Sequence, residues 1–260
     1  MIQSSTDPNH EKNPLEPRLA IVVLLCAIVL LFRTAAWLNP SGVVVIPPSL
    51  GLPVNGLGVL FLVCGVWAWR SNPSSLTRVF LLCGIGGSIH WGGTIAAGSP
   101  GVETALLVFY VGATAIGDAA FLDLSLRYPP TRHGRSFRKT YLYLLGILTL
   151  FAVPIAPFLP SGVVEAGLGF VIVVAFGMSI VGGLVFLVKW FRATSAERRE
   201  YYLTPIVGVL VLASGLDLLA EAGALPGEPA AWTLMYGLEP LILAWALTRK
   251  GVATARNLDT

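Results

Sequence analysis

The chain has 260 residues, of which 55% are hydrophobic and 12% are charged, and its formal net charge at pH 7 is +3. A soluble domain normally carries about 25% charged residues, so this composition excludes an ordinary soluble domain. Apolar runs near the ~20 residues that an α-helix needs to cross a bilayer recur along the chain. The sequence therefore predicts an all-α fold, a polytopic transmembrane helical bundle in the plasma membrane, with the lipid bilayer and not nucleic acid as its partner.

Eight apolar segments are predicted to cross the membrane. Short connections rich in turn-forming residues, such as "RSNPSS", "GSPG" and "LPSG", separate them and leave no room for a second domain. Residues 18–250 are therefore expected to form one transmembrane domain, between an N-terminal tail at 1–17 and a C-terminal tail at 251–260. The predicted spans are 18–37, 51–69, 79–97, 104–126, 140–159, 164–189, 201–221 and 231–248.

The first predicted span also resembles a signal peptide. Its apolar stretch "AIVVLLCAIVLLF" is followed by "RTAA", as before a cleavage site. The preceding residues are polar and charge-balanced rather than plainly basic, which favours a retained membrane anchor. Cleavage would leave seven spans in the same orientation.

Lysine and arginine lie on alternate connections. The two tails and three connections hold 16 of the 17 lysines and arginines, whereas the opposite connections hold none and contain Glu103 and Glu228. Because short loops rich in Lys and Arg stay on the cytoplasmic side, both termini are predicted to be cytoplasmic. The connection after the fourth span, here called the basic loop, carries five cations: Arg127, Arg132, Arg135, Arg138 and Lys139.

Two interpretations of the basic loop remain open. Its cations fix the topology, and this role alone would explain their number. They would also lie against anionic lipid or contact an acidic partner, with about 1 kcal/mol contributed by each cation near the surface. The loop is therefore a candidate for coupling the protein to the cytoplasmic side.

Ionisable side chains inside spans are costly and usually have a partner or a function. Counting ~1.5 Å per residue from the start of each span assigns four of them to one depth, at or beyond the midplane. An outward-facing ligand pocket and a set of buried ion pairs that fix helix packing explain this pattern equally well. The residues are Arg33, His90 with its neighbour Trp91, Asp217 and Glu239.

Three further acidic residues lie within or at the edge of predicted spans. Asp123 and Arg127 are four residues apart on one helix, so a local ion pair is expected. Asp118 is expected either to pair with an arginine on the cytoplasmic side or to take part in a relay. Glu221 is expected at the outer edge of the seventh span.

The inventory of reactive side chains argues against an enzyme. Haem held by two axial histidines needs two histidines within spans, and His90 is the only one in a predicted span. Lys189 lies at the end of a span, where no retinal Schiff base is expected. Neither H-E-x-x-H nor G-x-S-x-G occurs, and the three cysteines have no metal-binding spacing. The sequence therefore predicts no catalytic residue, no metal and no cofactor.

Three segments taken together resemble the multi-span N-terminal input region of bacterial and archaeal sensor histidine kinases. The first is "GLGVLFLVCGVWAWRSNPSSLTRVFLLCGIGG", and the second is "DLSLRYPPTRHGRSFRKTYLYLLG", in which Tyr128-Pro129 replaces the commoner Phe-Pro. The third runs from "AERREYYLTPIVGVLVLASGLDLLAEAG" through "LEPLILAWALTRKGVATARNLD". The resemblance covers about residues 51–259.

The resemblance implies a receptor-like module that senses a ligand or membrane state and moves its last helix. In that family the kinase domains follow directly, but here no phosphoacceptor helix or ATP-binding domain follows Arg249-Lys250. The chain is expected to be a free-standing relative, an accessory sensor with a cytoplasmic or membrane signalling partner, or a module cut at its boundary. The ligand is not identified by the sequence.

The alternative function is a small-solute transporter. Helices interrupted by proline and charges within the membrane are typical of carriers, many of which contain inverted repeats. No half of this chain aligns convincingly with the other, and eight spans are few for a carrier unless it forms a homodimer. The oligomeric state is therefore left open.

The predicted pocket is testable with two charge-removing variants. If the pocket binds a ligand, Asp217→Asn and Arg33→Gln should each change the signalling response while the amount of protein in the membrane stays the same. Loss of folded protein in both variants would instead support a structural ion pair. The measurement is a dose–response assay alongside the quantity of protein that elutes as one species in detergent.

Overall fold

The computed structural model describes residues 17–38, 48–92, 99–129, 140–221 and 237–249. These residues form α-helices joined by short turns and contain no strand, which confirms the all-α prediction. The helices are α1 (Pro17–Leu38), α2 (Pro48–Ser71), α3 (Ser75–Gly92), α4 (Pro100–Arg127), α5 (Leu144–Ala152), α6 (Ser161–Arg192), α7 (Ser195–Glu200), α8 (Thr204–Glu221) and α9 (Leu238–Thr248).

Local chemistry explains where several helices begin and end. Pro100 begins α4, where its missing N–H would have had no partner in any case. The helix ends at the extended residue Tyr128, before Pro129. Thr194 and Glu197 form a capping box that begins α7 directly after α6.

The fifth predicted span, 140–159, is not one continuous helix. A 3-10 turn at Thr140–Tyr143 leads into α5, and a second one follows at Ala156–Phe158. Between them the backbone N–H of Ile155 bonds to the carbonyl of Ala152, three residues back. Pro154 lies in this turn and provides no N–H for a helical bond. The regular part, α5, is therefore only nine residues long.

Six helices form a closed ring. Each of α2, α3, α4, α6, α8 and α9 packs against the next, and α9 closes the ring by packing against both α8 and α2. Helix α1 lies outside the ring against α2 and α3, and α5 lies outside against α4. One apolar cluster fills the interior with side chains from all six ring helices: Cys64, Phe80, Leu124, Phe186, Val207 and Leu243.

The cations gather at one end of the ring. The Asn72 amide in the α2–α3 turn donates to the carbonyl of Leu247 at the end of α9, 3.1 Å away. Lys189 near the end of α6 contacts the end of α4, and the rings of Tyr128 and Tyr201 lie 5.7 Å apart. We call this the basic end, and it carries the following described cations: Arg70, Arg78, Arg127, Lys189, Arg192, Arg198, Arg199 and Arg249.

Among the described residues, two helices, α4 and α6, are long and apolar enough to cross a membrane, which gives weak support to a membrane location. In the apolar window of α4, 56% of the residues are buried, whereas the corresponding value in α6 is 28%. Helix α6 therefore presents most of its apolar surface outward, as a helix facing lipid would. That the other predicted spans also cross remains a prediction.

The contact between α3 and α4 depends on a glycine pair. A Cβ added to Gly117 would lie 2.8 Å from the Cα of Gly86, whereas a Cβ added to Gly177 of α6 would meet nothing within 4 Å. Gly117→Ala should therefore lower the free energy of unfolding by about 1–3 kcal/mol through overpacking. Gly177→Ala should be neutral or slightly stabilising, because alanine favours a helix.

The measurement for this pair is the midpoint of thermal unfolding in one neutral detergent. Equal midpoints for the two alanine variants would contradict the close approach of α3 and α4.

Candidate functional site

Four ring helices each contribute a polar side chain to the interior, and we call this group the carboxyl layer: Cys83 of α3, Asp118 of α4, Ser179 of α6 and Glu239 of α9. The Ser179 hydroxyl donates a hydrogen bond of 2.6 Å to Oδ1 of Asp118. Glu239 of α9 and Cys83 of α3 are also buried in the ring. The ring interior therefore contains two carboxyl groups among largely apolar side chains.

The backbone around each member explains why the layer forms. Glu239 occupies the first turn of α9, where the unpaired N–H groups of the helix stabilise a carboxylate. Its side chain is 8% exposed. Gly182 allows α6 to approach α4, because a Cβ there would lie 2.7 Å from the Phe121 ring. This close approach lets the short Ser179 side chain reach Asp118.

A carboxyl group inside a membrane-spanning bundle is costly to ionise without a counter charge. Arg127 and Asp123 form an ion pair one turn further along α4. Within the described part of the chain, no group of three or more His, Cys, Asp or Glu residues could hold a metal ion. The layer is therefore suited to exchanging a proton or accepting a hydrogen-bond donor.

Asp123 forms a second polar centre nearer the basic end. Arg127 donates to Asp123 through Nε and Nη2, both at 2.8 Å, and the Tyr143 hydroxyl donates at 3.1 Å. The carboxylate is 1% exposed, so these three hydrogen bonds replace its hydration. The predicted local pair of Asp123 and Arg127 is confirmed.

Lys189 caps the end of α4. Its Nζ donates to the carbonyl oxygens of Leu126 at 2.9 Å, Pro129 at 3.1 Å and Tyr128 at 3.4 Å. The last carbonyls of a helix have no partner within the helix, and a cation there also complements the helix dipole. Lys189 thus joins α6 to the start of the basic loop. Four residues of that loop lie outside the described residues: Arg132, Arg135, Arg138 and Lys139.

The predicted outer pocket is described in part. The His90 and Trp91 rings make an edge contact with centroids 5.0 Å apart, and the Tyr110 ring stacks on His90 at 6.2 Å. The Tyr110 hydroxyl donates to the backbone carbonyl of His90 at 3.1 Å. These three aromatic side chains join α3 to α4. The side chains of Arg33, Asp217 and Glu221 lie outside the described residues.

Helix α9 sets the distance of Glu239 from the basic end. Helix α9 begins at Leu238, so Glu239 is in its first turn, roughly 12 Å from Leu247 along the axis. Cys83 is two turns, roughly 10 Å, from His90 along α3. The predicted place of Glu239 in an outer pocket with Arg33, His90 and Asp217 stays a prediction.

Four of the residues that complete these centres were not predicted as site residues from the sequence. Ser179 was visible as a hydroxyl within the apolar run "GMSIVGG". Asn72 and Tyr143 have partners on distant helices, so their local sequence gives no signal. The sequence predicts Lys189 as one of the topology-setting cations and not as a Schiff-base lysine, and its partners in the structure are backbone carbonyls.

No protein-family model matches the chain, and no curated protein and no solved structure matches it.

The pairing of Asp123 with Arg127 predicts a non-additive pair of substitutions. Arg127→Gln leaves a buried carboxylate with less compensation and should destabilise the protein by about 2–3 kcal/mol. Asp123→Asn should cost less, because the Arg127 side chain is 35% exposed and can reach water. The double variant should be more stable than the sum of the single effects implies.

The matched control is Arg199→Gln, which removes the same charge from an exposed arginine and should change stability by less than about 0.5 kcal/mol. The measurement is a double-mutant cycle on unfolding in detergent. Additive effects would show that the pair contributes no coupling.

Proposed function

We propose that the protein is a membrane-embedded sensory module that senses a ligand or a membrane state and passes a conformational change to a signalling partner at its basic end. One observation carries the proposal: the short helix α9 connects the carboxyl layer to that end. Glu239 lies in its first turn, and Leu247 accepts the Asn72 hydrogen bond at its other end.

Helix α9 is suited to transmit a displacement. Its core-facing residues Leu243 and Leu247 are almost fully buried, so the helix moves with the packing around it. At the basic end the Arg249 guanidinium lies 3.6 Å from the centroid of the Trp245 ring, which makes an edge contact with Tyr202. A change at Glu239 would therefore be felt at the junction of α9 with α8 and the α2–α3 turn.

A sensing event must favour one packing of the ring over another. Binding a proton or a hydrogen-bond donor at Asp118 or Glu239 would change the charge next to the first turn of α9. The aromatic group of His90, Trp91 and Tyr110 would form the wall of an outer ligand site, together with Arg33 and Asp217. We propose no catalytic step and no cofactor for this module.

The proposal includes eight spans with both termini in the cytoplasm. Support comes from the outward apolar faces of α1 and α6 and from the collection of described cations at one end of the ring. Short loops rich in Lys and Arg stay on the cytoplasmic side, so the basic end would face the cytoplasm. A partner would meet Arg249, the basic loop and the C-terminal tail there.

The alternative is a carrier for a small cation or for protons. The carboxyl layer favours it, because buried acids inside a helical bundle are typical of ion pathways. Vesicles that contain the purified protein would then show gradient-driven uptake, and Asp118→Asn would abolish it. A sensor would show no uptake in either form.

Co-purification from native membranes tests the sensory function. A kinase, response regulator or other signalling chain should co-purify at a stoichiometric level with the wild type. Glu165→Gln, at the opposite end of α6, is the matched control and should retain it. Arg249→Gln should reduce the retained amount several-fold, because it alters the cytoplasmic end of α9.

The copurifying chains are identified and quantified by mass spectrometry. A protein that elutes alone, or only with copies of itself, would contradict the sensory proposal and leave the carrier as the better account.

A further inference from the structure

The cations at the basic end divide into two groups. Five interact with other groups of the described chain: Arg78, Arg127, Lys189, Arg198 and Arg249. By contrast, Arg192 and Arg199 are exposed and form no hydrogen bond or ion pair within the described residues, and the same holds for Arg70 at the end of α2. The second group is available to an anion from outside the chain.

Arg192 and Arg199 lie on one elbow, residues 188–199, where α6 ends and α7 follows. Arg198 holds this elbow closed, because it donates to the carbonyls of Trp190 at 3.2 Å and Phe191 at 2.8 Å. Its guanidinium also lies 5.0 Å from the centroid of the Trp190 ring. The elbow is thus a fixed turn that carries two unpaired cations, not a loose tail.

An apolar track leads along α6 to this elbow. Spacings of three and four residues place its members on one helix face, and all are exposed: Val181, Leu184, Val188 and Phe191. The track is roughly 15 Å long, about half the hydrocarbon thickness of a bilayer. Phe191, at 66% exposed, ends the track directly beside Arg192.

We propose that the α6–α7 elbow binds an anionic phospholipid, with the phosphate between Arg192 and Arg199 and an acyl chain along the apolar track. Guanidinium groups suit phosphate because they donate several hydrogen bonds in one plane. A soluble acidic segment would satisfy the arginines but leave the adjoining track uncovered. The site rests on the membrane placement in the proposed function and not on the sensing step.

The experiment measures lipid binding to the purified protein in a non-ionic detergent by native mass spectrometry. Phosphatidylglycerol should be retained in preference to phosphatidylcholine. Arg192→Gln and Arg199→Gln should each weaken phosphatidylglycerol binding by about fivefold, and the double variant should weaken it by about thirtyfold. Arg70→Gln is the matched control, because it removes the same charge from another helix end, and it should change nothing.

A second pair of measurements separates a lipid from other anions. Glycerol phosphate and inorganic phosphate should displace the lipid poorly, because they lack the acyl chain, and Val188→Ser should weaken lipid binding while both arginines remain. Efficient displacement by an acidic peptide would instead identify the elbow as a protein-binding surface and overturn the proposal.

Three other results would overturn the lipid site: equal loss with Arg70→Gln, equal binding of the two lipids, or no effect of the arginine substitutions. If the double variant does not fold, the two single variants still test whether the elbow binds the lipid. Resistance of the wild type to alkaline extraction from membranes tests the membrane placement separately. Extraction of the protein would contradict the proposed function. A membrane-resident protein without lipid preference would contradict only this inference.

Discussion

Glycines face each other at three contacts of the helix ring: Gly65 with Gly84 between α2 and α3, Gly86 with Gly117 between α3 and α4, and Gly183 with Gly208 between α6 and α8. A Cβ at most of these positions would come within about 3 Å of the opposite backbone or side chains. Small residues allow the backbones to approach and gain packing where apolar burial gives little advantage over lipid. Three of the contacts that close the ring depend on this approach.

The acidic residues of the interior differ in the groups that surround them. Asp123 receives a two-point arginine contact and a tyrosine hydroxyl, so its charge is fully compensated where it is buried. The pair of Asp118 and Glu239 receives a serine hydroxyl and a helix N-terminus, neither of which carries a full positive charge. The first arrangement fixes structure, whereas the second leaves a charge balance that a proton or ligand would alter. This contrast is why the carboxyl layer is the better candidate for a sensing site.

The two ends of the ring also differ in the chemistry of their side chains. At the basic end, arginine and lysine side chains lie on tryptophan rings and on the last carbonyls of helices, so part of the positive charge is built into the turns. Arg192 and Arg199 are exposed beside the outward apolar face of α6. At the other end of α3 the described group is aromatic, with His90 between Trp91 and Tyr110. The described part of the ring thus has an aromatic group at one end and a cationic surface at the other.

The sequence by itself determined the features that repeat at short range. Apolar runs near membrane length predicted helices over the segments where the described helices lie, and the four-residue spacing of Asp123 and Arg127 predicted their ion pair. The distribution of Lys and Arg predicted that the cations share one end. Each of these depends on neighbours in the chain or on the bilayer, so no knowledge of helix packing was needed.

Only the tertiary structure decided which distant side chains meet. The pairing of Asp118 with Ser179 and the bond from Asn72 to Leu247 each join helices far apart in the sequence. Counting residues along a span gives the depth of a side chain but not the neighbouring helix that it contacts. Helix order around the ring is set by side-chain packing at the glycine contacts, and no periodicity within a single helix encodes it.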